Sequence, residues 1–190
     1  MVGAKREVRF SGNQFTVTVD KLLSDTGVAD LVIVPALFGD MGNAVTANAK
    51  IAEWLIWQYK EGAEIASLCV GAFLLASTGL LNGRKCSTHW GYINTFREMF
   101  PNVMIQDGSI VTEQNRIYTS GGATSYWNLL LHLVEKYTDR QIAILVSKYF
   151  AIDIDRSSQS AFAVFTAQKS HNDDAVKKAQ EYIEKILKTA

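Results

Sequence analysis

Between Glu64 and Ala76 the chain changes its hydrophobic period with almost no residues to spare. Glu64-Ile65-Ala66-Ser67-Leu68 reads as a buried strand, Ala72-Phe73-Leu74-Leu75-Ala76 as an apolar helix, and only Cys69-Val70-Gly71 joins them. So short a connection demands a sharp turn. Ser67 and Gly71, two residues before and two after Cys69, are small where the flanking backbone segments must approach closely. The arrangement lifts a candidate nucleophile to the C-terminal end of a strand and sets it beside a helix N-terminus, where amide N–H groups and the helix dipole favour a thiolate. The Val70 amide is then the natural donor to an oxyanion. Free cysteine is also among the residues most often buried for packing alone. The small flanks and the strand-to-helix switch weigh against that alternative at Cys69.

The rest of the chain predicts an α/β domain around this turn. Leu31-Val32-Ile33-Val34-Pro35 is a continuous apolar run, the pattern of a central parallel strand buried on both faces. Val8 to Phe10 and Phe15 to Val19, around Ser11-Gly12-Asn13, predict a hairpin or a pair of edge strands. Helices are expected from Asn43 to Tyr59, Tyr92 to Met99, Ser125 to Tyr137 and Asp139 to Phe150; the third is apolar nearly all round and is predicted to be buried. Short strands are expected near Lys85 to Thr88, Val103 to Ile105, Ser109 to Thr112 and Arg116 to Ser120, and a polar loop from Asp153 to Gln159. Strands alternating with helices imply a mostly parallel sheet covered on both sides. From Asn172 to Leu187, Ala175, Val176, Ala179, Tyr182, Ile183, Ile186 and Leu187 form one stripe of an amphipathic helix.

At 190 residues the chain is long enough for one full core and short for two ordinary domains. Its 19 basic residues balance its 19 acidic ones, so the chain by itself is expected to bind DNA weakly or not at all. The start, Met1 to Arg6, is not followed by the apolar core of a signal peptide, and with only Cys69 and Cys86 a reducing, cytoplasmic setting is expected. The uncharged run Ile65 to Gly83 is interrupted by Ser67, Gly71, Ser77, Thr78, Gly79 and Asn82, which argues against a membrane span. His89, after the strand that follows the elbow helix, is placed to reach the same strand ends as a base or orienter, with a hydrogen-bonded structural histidine as the competing reading. Cys86 and His89 have a spacing that suits zinc, but with only Cys69 to add, a closed set of four ligands is not available, and no metal or cofactor is expected. His132 is expected to be a packed core residue. Asp40, on the turn Ala36 to Asp40, is a candidate for the pocket rim, although turn aspartates usually bond their own backbone.

With these residues in view the chain resembles the amidase-like regulators of the AraC class, the GlxA-like group, which join a ThiJ/PfpI domain to a C-terminal pair of helix-turn-helix motifs. The stretches that carry the likeness are Ser67 to Ala76, Gly79-Leu80-Leu81-Asn82-Gly83, Thr88-His89-Trp90, Thr119-Ser120-Gly121-Gly122, Leu131 to Glu135 and Gln159 to Phe162. The resemblance implies a flavodoxin-like three-layer sandwich with a mostly parallel sheet, lacking the family's first strand and helix, with Cys69 at the elbow and His89 nearby. It further implies a homodimer sensing a small effector. On this reading residues 1–168 are the sensor, and residues 169–190 are a linker and the first helix of a DNA-binding domain otherwise absent from this sequence. Effector contacts are expected from Leu37, Asp40, Cys69, Val70, His89, Gly121 and Gly122. Relatives also include isonitrile hydratases and amidases, so the alternative is an enzyme. In it Cys69 attacks an amide- or nitrile-like carbon, the Val70 amide and a turn amide near Leu37 steady the charge, and His89 moves protons. A glyoxalase-like or redox-sensing role is a third option. The departures are Val70, where many relatives carry threonine, and the absence from Met1 to Asp30 of an assignable acid to contact the cysteine.

Overall fold

A computed structural model describes residues 1–10, 15–159 and 173–187. In chain order they form β1 (Val2–Gly3), β2 (Glu7–Phe10), β3 (Phe15–Thr18), β4 (Lys21–Leu22), β5 (Leu31–Val34), α1 (Met41–Ala47), α2 (Ala49–Lys60), β6 (Glu64–Ser67), α3 (Ala72–Ser77), β7 (Lys85–Cys86), α4 (Ile93–Met99), β8 (Met104–Ile105), β9 (Val111–Gln114), β10 (Ile117–Ser120), α5 (Ser125–Tyr137), α6 (Arg140–Tyr149) and α7 (Asp174–Leu187). The main sheet runs β5-β6-β10-β9. Its first three strands are parallel and β9 is antiparallel, returning through Asn115 and Arg116, both at positive φ as a tight hairpin turn requires. β2 and β3 pair antiparallel as the hairpin pattern predicts, and its turn, 11–14, lies outside the described residues.

Successive residues of β6 face opposite layers. Ile65 joins a core with Leu55, Phe73, Leu75, Leu81 and Phe96, drawn from helices α2 to α4 and the segment after α3. Ala66 joins Tyr118, Leu129 and Leu133 on the other side, under α5. The result is the three-layer α/β sandwich expected from the alternating pattern. Phe73 anchors the larger core, meeting Phe96 edge-on at 4.9 Å.

Several expectations need correction. β5 is not central: among the described residues it pairs only with β6, and Ile33 is 44% exposed. Clefts of about 380 Å3 and about 170 Å3 both touch Val2 of β1 together with Val32, Ile33 and Trp54, and the larger also reaches Lys21 of β4. An unbroken apolar run signals apolar faces and carries no information about lateral neighbours, which is why edge and centre look alike in sequence. The single helix expected from Asn43 to Tyr59 is two, α1 and α2, broken at Asn48, where ψ is 19°. Its apolar spacing already gaps between Val45 and Ile51. Helix α5 is buried on one side only, through Ser125, Asn128, Leu129, Leu131 and Leu133, while Trp127 and Tyr137 are exposed. His132 is not a core residue: it is half-buried and meets Glu113 Oε2 at 2.8 Å across the sheet edge. The polar segment after Asp153 is a loop only in part, since Ser158 pairs with Ser109 and Gln159 is buried.

Candidate functional site

The elbow forms because β6 ends against the end of β5 and has nowhere to continue. Leu68 N–H donates to Val34 O at 2.9 Å, Cys69 turns into the left-handed region at φ 55°, and Gly71 N–H closes the turn onto Leu68 O at 2.8 Å. A β-carbon at position 71 would lie 2.5 Å from Pro35 O and 2.8 Å from Val34 O, so the helix can start this close to β5 only with glycine there. A non-glycine residue at positive φ costs about 1–3 kcal/mol and persists where its surroundings over-determine it. Here they do: Cys69 N–H donates to Ser120 Oγ at 3.2 Å, and Thr88 Oγ1 donates to Cys69 O at 3.2 Å. Cys69 is half-buried and Val70 buried.

Ser120 ends β10 and Thr88 follows β7, so the cysteine is gripped by two neighbouring strand ends. Below it, Thr112 and Thr119 hydroxyls meet at 2.6 Å and Ser87 N–H donates to Thr119 Oγ1 at 2.6 Å. Cys86 sits in this buried layer, and burial, only partly offset by a hydrogen bond with Thr119, pushes its thiol up to about 12. A buried thiol held that far above ordinary pH stays protonated and is a poor nucleophile.

His89 follows Thr88 directly. Its Nδ1 accepts the Gly91 N–H at 3.0 Å, which puts the proton of the neutral ring on Nε2, and burial holds the imidazole below its ordinary range. The ring covers Gly122 so closely that a β-carbon there would fall 2.2 Å from its Cδ2. A β-carbon on Gly121 would lie 2.7 Å from the Gln159 side chain, whose Oε1 accepts Gly122 N–H at 2.9 Å. The double glycine thus makes room for His89 on one residue and for Gln159 on the other.

Of the residues singled out in the sequence, Cys69, Val70, His89, Gly121 and Gly122 meet at these strand ends. Leu37 packs against the same core as Cys69. Asp40 does something else: its Oδ1 caps α1 by accepting Asn43 N–H at 2.9 Å, the local bonding that turn aspartates usually provide. Thr88, Ser120 and Gln159 were not singled out as site residues. The first two look like ordinary strand-end hydroxyls, and Gln159 lies in a polar segment where nothing local marks it as buried. Among the described residues no group of three or more His, Cys, Asp or Glu side chains is placed to hold a metal, and no helix is long and apolar enough to cross a membrane. The chemistry on offer is a thiol, an imidazole N–H and backbone amides.

A parallel-rich α/β sandwich with a cysteine on a strained strand-to-helix turn defines a class of flavodoxin-like proteins. The chain belongs to one family within it, the DJ-1/PfpI family, whose model matches residues 1–136. It is 29% identical over 143 residues to the HTH-type transcriptional regulator GbdR of Pseudomonas aeruginosa, covering 75% of this chain and 38% of GbdR. It is 30% identical over 149 residues to the HTH-type transcriptional regulator CdhR of the same species, covering 78% and 43%. The chain therefore spans less than half the length of either regulator. An isonitrile hydratase of Pseudomonas putida is 25% identical over 123 residues, covering 64% of this chain and 51% of the hydratase. The fold recurs in a ThiJ/PfpI family protein of Pseudomonas syringae, with TM-score 0.65 at 18% identity over 97% of this chain and 73% of that one.

Proposed function

We propose that this chain is the ligand-sensing domain of an AraC-type transcriptional regulator, taking a small effector at the strand ends beside Cys69. The observation that carries the reading is the state of His89. Its Nδ1 accepts a backbone amide, so Nε2 carries the proton and offers a hydrogen bond to a ligand; a neutral ring in that tautomer has no lone pair there to take a proton from the thiol. The likeness to GbdR and CdhR, both HTH-type regulators, supports the same conclusion. Residues 1–168 then form the sensor, and residues 169–190 lead toward a helix-turn-helix unit that makes the DNA contacts. The sensor works in the cytoplasm as a homodimer, which spaces two DNA-reading units at fixed separation.

The second reading is a cysteine-dependent hydratase or hydrolase, favoured by the strained Cys69 elbow and by the likeness to an isonitrile hydratase. One screen separates them. Small carboxylates, amines, amides and isonitriles are tested for protection of Cys69 against iodoacetamide, and each protecting compound is followed for turnover. Saturable protection without turnover supports the sensor; steady conversion abolished by Cys69→Ala supports the enzyme and overturns the sensor.

A further inference from the structure

Gln159 is 2% exposed, although it lies in the largely polar segment that follows Asp153. Its Nε2 donates to Thr88 O at 2.9 Å and to Ser109 O at 3.3 Å, and its Oε1 accepts Gly122 N–H at 2.9 Å. One side-chain amide thus ties together the segment that carries His89, the loop before β9, and the glycine on which the His89 ring rests. No other uncharged side chain supplies donors and an acceptor on one planar group at that reach, apart from the shorter asparagine. The backbone around it is fastened to the same loop: Gln159 N–H donates to Gly108 O at 2.7 Å and Ile110 N–H to Ser157 O at 3.2 Å. Thr88 in turn holds Cys69 O. A continuous bonded path therefore runs from the elbow cysteine through Thr88 to Gln159 and on to residues 157–159.

We propose that Gln159 is a positioning residue that couples occupancy of the Cys69 site to the segment 157–159. This rests on the sensor reading for its purpose, although the coupling itself is testable without an effector. A molecule lodged beside Cys69, His89 and Gly122 displaces Thr88 O or Gly122 N–H, and both are bonded to one buried amide that water does not reach to re-satisfy. The amide follows, and the backbone bonds at 157–159 loosen with it.

Amide hydrogen exchange on the full chain tests this, with the carbamidomethyl group left on Cys69 by iodoacetamide as the occupant. In the parent protein, alkylation should accelerate exchange of the Gln159 and Ile110 amides about tenfold and leave the Glu64 amide, at the opposite end of β6, unchanged. In Gln159→Met, which keeps the bulk and removes the bonds, those two amides should exchange fast from the start and ignore alkylation. Unchanged exchange at Gln159 and Ile110 in the alkylated parent, or an equal response in Q159M, overturns the proposal. If the thiol resists labelling, Cys69→Met introduces the bulk genetically and the same comparison decides. If Q159M does not fold, the parent measurement stands alone and decides. Failure of every small molecule to protect Cys69 would remove the sensor reading while leaving this coupling measurable.

Discussion

Cys69 and Cys86 lie seventeen positions apart and could hardly differ more in circumstance. Cys69 is half-buried on a strained turn, whereas Cys86 is fully buried with its thiol pushed up to about 12. Timed alkylation with peptide mapping should therefore label Cys69 at least about tenfold faster than Cys86 in the folded protein. Equal rates would deny the elbow its chemical significance. Gly71 makes a sharper structural demand, because the atoms a β-carbon would meet are carbonyl oxygens of Val34 and Pro35, which are backbone and do not swing aside. Gly71→Val should lower stability by about 2–4 kcal/mol in a denaturant titration. A variant that melts with the parent would mean that the elbow does not press on β5.

At the scale of elements, the N-terminal end of β6 is held to the end of α5 by a charged cluster far from the cysteine. Lys136 Nζ donates to both Glu64 carboxylate oxygens, at 2.5 and 2.7 Å, and to Tyr118 Oη, while Tyr137 Oη donates to Glu64 at 2.7 Å. Burial alone would raise the Glu64 pKa, but the hydrogen bonds from Lys136, Tyr137 and Tyr118 outweigh it and hold the carboxyl below its ordinary 4.5. The unfolded chain then binds the proton more readily than the folded one, so this stabilisation is full above pH 4.5 and is lost as pH falls through the lower folded value. His89 acts in the same direction at higher pH: burial keeps its imidazole neutral, and stability falls as pH drops below the ordinary 6.5. The melting temperature should accordingly decline in two stages on acidification from pH 7. Glu64→Gln should melt below the parent at pH 7 and lose most of the lower stage. A variant with the parent's full decline would place the acid sensitivity elsewhere.

At the scale of the whole molecule, the C-terminal helix and the proposed pairing of chains are tested together. On α7, Val176, Tyr182, Ile183 and Ile186 are all exposed, and Asp173 Oδ1 accepts the Ala175 and Val176 amides at its start. A helix whose described large apolar side chains are this exposed contributes little to the stability of the rest of the chain. Ending the chain at Gln168 should leave the melting temperature within a few degrees and the protein dimeric by sedimentation. A monomer on truncation would make α7 the dimer contact, and a monomeric parent at high concentration would refute the paired sensor. With equal numbers of basic and acidic residues, the full chain should not bind a promoter fragment specifically at low salt.

The parts legible in the sequence were those set by neighbours along the chain. The elbow is one, because the switch of period at Cys69 and the small residues around it follow from sterics within five positions. The parallel α/β class is another, since strand and helix patterns alternate, and the α1 cap at Asp40 repeats a local habit of aspartate. What only the tertiary structure decided depends on contacts between distant segments. The apolar run of β5 looked central because burial of faces and pairing of edges leave the same hydropathy trace. His132 looked like core because its partner, Glu113, lies nineteen residues away. Gln159 looked like loop because the carbonyls and amide that bury it belong to residues 88, 109 and 122, and no local pattern records a hydrogen bond made across that separation.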